Sequence, residues 1–129
     1  MNRLFLRGVK DKRGQSTVEC ALVLPILLLI VFGIIEFGLI FNAYVTVISS
    51  AREGARYGII GDKDEEQIIE KVKNSAGALK VEKLDVNVQK IGTDLTVGVT
   101  YDADILDPIM SAILGTTVPV KAEITMAME

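Results

Sequence analysis

The sequence predicts an α+β protein: a long N-terminal helix, transmembrane and then an extracytoplasmic stalk, followed by a small head of one amphipathic helix on a three-stranded antiparallel sheet. Three observations carry this. The 22 residues from Cys20 to Phe41 contain one charge, Glu36. Ile68, Ile69, Val72, Ala76 and Leu79 then recur at helical spacing. Beyond Gly77 the apolar period drops to two, the signature of strands with one buried face.

The opening segment, residues 1–14, is a basic leader. Arg3, Arg7, Lys10, Lys12 and Arg13 stand against Asp11, a net of +4, whereas Gln15 to Glu129 carries nine bases against sixteen acids, a net of −7. An acidic body excludes nucleic acid as the expected partner, because phosphate binding needs a basic surface. The basic start fits an anionic membrane face instead, with membrane lipids as partners.

Residues 15–60 form the second part. As a helix, Cys20 to Phe41 spans about 33 Å, enough for a bilayer core of about 30 Å. The strictly uncharged stretch, Cys20 to Ile35, is only 16 residues. Glu36 therefore either snorkels to the outer interface or pairs with a base on a partner subunit, since a midplane acid costs about 3 kcal/mol. Bases before the run and acids after it orient the helix with its amino terminus cytoplasmic. Pro25 removes one backbone hydrogen bond and either loosens the helix where subunits pack or is simply tolerated there. The helix is expected from about Ser16 to Tyr57. Near its end Ser50, Gly54 and Gly58 recur every four residues, a row of small side chains that lets another helix approach closely, unless the segment is merely a fraying end. Arg52 and Arg56 stack one turn apart, either as a solvated face or toward headgroups or acids.

Residues 61–129 are the head. Asp62, Asp64, Glu65 and Glu66 favour a helix start, and the apolar spacing that follows gives about four amphipathic turns. Leu84, Val86 and Val88 alternate with polar residues, Gly92-Thr93-Asp94 reads as a turn, and Leu95, Val97, Val99 and Tyr101 form the return strand. A short helix is expected around Ile109 to Leu114, and a last strand runs from Val118 to Met128. Asp102, Asp104 and Asp107 offer oxygen ligands but no calcium-loop glycine, and read as a solvated acidic loop.

Histidine is absent and Cys20 is the single cysteine. This removes Ser/His/Asp and Cys/His catalysis, the usual zinc sites and any disulfide within the chain. No enzyme activity and no cofactor is expected.

Gly14 and Glu19 form the most specific pair. A basic leader ends in Gly14, and an apolar helix follows at once, whereas an ordinary secretory signal is cut after its apolar stretch. A cut at Gly14 leaves the helix on the mature chain. Gly14 followed by glutamate at the fifth position resembles a class III, type IV-like prepilin processing site. The run from Arg13 to Ile60, with Pro25, Glu36 before Phe37-Gly38, and Ala51-Arg52-Glu53-Gly54-Ala55-Arg56-Tyr57, closely resembles the TadE-like pseudopilins of tight-adherence (Tad/Flp) pilus systems. The resemblance implies cleavage between Gly14 and Gln15 by a membrane prepilin peptidase. It also implies that Glu19 pairs with the new amino terminus of a neighbouring subunit during pilus assembly for adhesion. The implied partners are other pilin and pseudopilin subunits and the assembly platform, and the implied location is the inner membrane of a bacterial or archaeal-type cell. Cys20 departs from the aromatic residue usual after that glutamate. The principal alternative is a single-pass, membrane-anchored binding module unrelated to pili.

Overall fold

The computed structural model describes residues 12–128; the leader before Lys12 lies outside the described residues. The first helix, α1, spans Lys12–Ile59, 48 residues, and continues through Pro25. Proline has no N–H, so the Ala21 carbonyl lacks its usual intrahelical donor there. Helix geometry includes Gly14 and extends two residues past Tyr57, so both ends lie outside the expected bounds.

The chain divides into two compact units, the first ending at Ile34 and the second starting at Ile35. In the first, every residue from Gly14 to Phe32 is exposed. The most apolar 18-residue window of α1 has a mean hydropathy of 2.8, and none of it is buried. A core helix of a water-soluble domain hides such a surface. This one is long and apolar enough to cross a membrane.

The second unit holds the end of α1, helix α2 (Glu65–Ser75), a 3₁₀ turn (Val81–Lys83), strands β1 (Leu84–Ile91) and β2 (Asp94–Asp104), helix α3 (Pro108–Leu114) and strand β3 (Thr117–Ala127). The strands form one antiparallel sheet in the order β1-β2-β3. The expected fold class is the observed one.

Local chemistry sets each boundary. Asp64 caps α2 in an extended conformation, and its N–H donates to Gln67 Oε1 at 3.2 Å. The helix stops at Ser75, a turn earlier than its apolar spacing suggests, because the Gly77 segment turns the chain and Leu79 N–H bonds the Ala76 carbonyl at 2.8 Å. Ile91 pairs with Asp94, leaving Gly92-Thr93 as a two-residue loop. Gly92 has φ +61°, the left-handed value that such hairpin loops require and that glycine adopts without strain.

The register aligns apolar residues across all three strands: Leu84, Tyr101 and Val120; Val86, Val99 and Ala122; Val88, Val97 and Ile124. This face is covered by two helices. Val47, Ala51 and Ala55 of α1 join Ile68 and Val72 of α2 over Leu95, Val97 and Val99, all fully buried. The end of α1, expected as a stalk, is thus part of the head's core, because its Ala/Gly/Ser/Val stripe is apolar and narrow enough to lie against the sheet.

Candidate functional site

Two surfaces bear on function, the exposed first part of α1 and the region around Glu36. On the first, Gln15 Nε2 donates to Glu19 Oε1 at 3.4 Å, one turn apart and exposed. At Gly14 an added Cβ would meet nothing within 4 Å, as at Gly33 and Gly38. No packing among the described residues demands a glycine at position 14, where alanine would favour the helix by about 1 kcal/mol. Cys20 is a free, exposed thiol, and Pro25 lies in the same uncovered stretch.

Glu36 departs from the expectation that it reaches the outer interface. It is 3% exposed, and its Oε1 accepts a hydrogen bond from the backbone N–H of Leu106 at 3.0 Å. It does not snorkel to water, because the chain's own loop before α3 supplies the donor. Burying a carboxylate is tolerable only with such donors. Replacing Glu36 by alanine leaves the Leu106 N–H without its acceptor, at a cost of about 1–3 kcal/mol. Hydrogen exchange should then quicken by roughly 10–100-fold across residues 105–110. Glutamine, which keeps an acceptor oxygen, should raise it far less, and unchanged exchange in the alanine variant would show that the bond does not hold the loop.

The small-residue row faces inward. Ser50 is fully buried, and its hydroxyl donates to the Val47 carbonyl at 2.9 Å, so it brings no unsatisfied polar atom into the core. A Cβ on Gly54 would collide with Val72 Cγ2 and lie 3.7 Å from Val97. On Gly58 it would collide with Leu95 and come within 2.8 Å of Ile68 Cδ1. The helix that this row admits is the chain's own α2. Arg52 and Arg56 point outward and are exposed.

The three loop aspartates do not converge. Asp104 is bonded to Lys83 and, at 3.3 Å, to Lys80. The Lys83 ammonium, with Lys80 behind it, holds the Asp104 carboxyl below the usual carboxylate range, against a smaller opposing effect of burial. Asp107 caps α3, its Oδ1 accepting from Ile109 N–H at 2.7 Å, and Asp102 is exposed. Among the described residues no group of three metal-ligating side chains comes together.

Surface hollows lie elsewhere among the described residues. The outer face of the sheet forms a polar trough of about 290 Å³ lined by Asn87, Gly98, Thr100, Lys121 and Glu123. Its floor is low because β2 carries a glycine there. An apolar groove of about 380 Å³ lies between Phe37, Phe41 and Tyr44 of α1 and Val118 to Lys121 of β3.

The Glu36–Leu106 link was beyond sequence reasoning, which saw a lone acid in an apolar run and, separately, an acidic loop leading into a short helix around Ile109 to Leu114. Both were visible, but nothing in one dimension joined them across 70 positions. Residues 14–56 match the family model described as TadE-like protein. No curated protein and no solved structure matches the chain.

Proposed function

Residues 14–56 match the model of the TadE-like family, and from that match we propose that the chain is a pseudopilin, a non-catalytic structural subunit in the biogenesis of a Tad/Flp pilus. A prepilin peptidase removes the leader between Gly14 and Gln15 at the cytoplasmic face of the inner membrane. The apolar part of α1 then holds the subunit in the bilayer with the head outside. During assembly it packs against the helices of other pilin or pseudopilin subunits, delivered through the assembly platform, in a pilus that serves adhesion.

The observation that carries this reading is the bare first part of α1. Every residue from Gly14 to Phe32 is exposed, so an apolar surface of that size needs lipid or other helices to cover it. A subunit that is first anchored and then assembled uses both in turn. The openness around Gly14 adds support, since a processing site requires a small residue where the fold does not.

Co-expression with a prepilin peptidase, followed by intact-mass measurement, tests the proposal. The expected product begins at Gln15 and appears only with the active peptidase. An unprocessed mass in both cases would leave the chain a membrane-anchored module outside any pilus.

A further inference from the structure

We propose that the segment Leu106–Leu114 is a second membrane contact, an interfacial hook that lays its apolar side chains into the extracytoplasmic leaflet beside α1. The inference rests on the reading that α1 crosses the membrane.

The segment is anomalous for a surface facing water. In a chain that is 24% charged, no charge occurs from Pro108 to Val120. Leu106 is 73% exposed, Ile113 69% and Leu114 53%, and α3 buries none of its residues. A seven-residue helix that buries none of its residues fully gains little in water. Yet its ends are well specified, by the Asp107 cap and by Gly115 at φ +90°. A defined helix with an uncovered apolar face is the usual form of an element that rests on a lipid surface.

Its place on the fold selects lipid as the cover. Glu36 binds the Leu106 N–H and so ties the hook to the turn of α1 where the apolar run is ending. Glu36 lies five residues before Phe41, about 7.5 Å along the helix. That matches the depth of about 5–10 Å reached by interfacial helices. Phe37, Phe41 and Tyr44 on the same stretch are exposed, as aromatic residues at a membrane boundary are.

The charges agree. Lys121 shares the groove with Phe37, Phe41 and Tyr44, and Lys80 lines a hollow with Leu39, Asn42 and Leu106. In a body of net negative charge, Lys121 stands beside these aromatic residues, where its stem covers apolar surface and its ammonium group reaches lipid phosphates, whereas the Lys80 ammonium is already paired with Asp104 at 3.3 Å.

The test uses the full-length chain in bilayer nanodiscs of phosphatidylethanolamine and phosphatidylglycerol. On a Cys20→Ser background, single cysteines at Leu28, Asn87 and Ile113 carry a spin label, and its accessibility to oxygen and to a water-soluble nickel chelate is measured. Ile113 is exposed, so labelling it disturbs no core. The expected result is a label at Ile113 that oxygen reaches and nickel does not, with nickel accessibility several-fold below that at Asn87. A nickel-accessible Ile113 beside a shielded Leu28 would overturn the hook and leave the spanning helix intact. A nickel-accessible Leu28 would instead remove the spanning reading, and the hook with it. Shielding of Ile113 from both reagents would mean a protein cover and would overturn the lipid assignment.

Discussion

Replacing Gly54 with leucine is expected to lower the melting temperature of the head by about 8–16 °C, as followed by circular dichroism of the full chain in detergent. The Cβ alone would collide with Val72 Cγ2. Val72 is β-branched on a helix and has almost one rotamer available, so it cannot swing aside. Both Val72 and Val97 are fully buried, and the strain must pass to the backbones of α2 and β2. Overpacking costs about 1–3 kcal/mol, and a whole leucine side chain against a neighbour that cannot move belongs at the upper end, about 3 kcal/mol. Leucine returns about 1 kcal/mol of helix propensity relative to glycine, leaving a net loss of about 2 kcal/mol, or about 4–8 °C for each. Gly38→Ala is the control, since a Cβ there meets nothing within 4 Å and the melting temperature should hold or rise. An unchanged melting temperature in the leucine variant would show that α2 does not close over position 54.

Glu19→Ala should leave membrane insertion and head folding intact while cutting incorporation into assembled pili on the order of 100-fold. Glu19 is exposed and bonded to the Gln15 side chain of its own helix, so the fold of the isolated subunit loses almost nothing without it. In the proposed assembly, the carboxylate meets a neighbour's new amino terminus in low dielectric, where attraction is strong and an unpaired charge is costly. Removing one partner of a buried pair costs about 3–5 kcal/mol, and 3 kcal/mol is about a hundredfold. Alkaline extraction of membranes reads insertion, and the subunit recovered with sheared filaments reads assembly. Glutamine at this position should also fail, because it keeps the shape and loses the charge. Normal assembly of the alanine variant would return Glu19 to the role of an interfacial residue hydrated by headgroups.

These substitutions divide along what a linear reading can see. Alternation is a local property, so β1, β2 and β3 were legible from Leu84 to Met128, as was the hairpin turn at Gly92. The exposed apolar helix was equally plain, because its length and lack of charge depend on no distant residue. Gly14 and Glu19 belong to the same class, a pattern five positions apart that needs no fold to be recognised. Ser50, Gly54 and Gly58 were seen as a row that admits a helix, but not which helix.

The sequence by itself determined that this chain has an apolar α-helix of membrane length, a processing-like Gly14/Glu19 pair and a small α+β head, since these follow from composition and from periods of 3.6 and 2. Only the tertiary structure decided that α2 and β2 fill the space along Gly54 and Gly58, and that Glu36 holds the Leu106 loop instead of facing water. The physical reason is the same for both. A small residue and a lone acid each state a need, for close approach or for a donor, and only the folded chain shows which distant residues meet it.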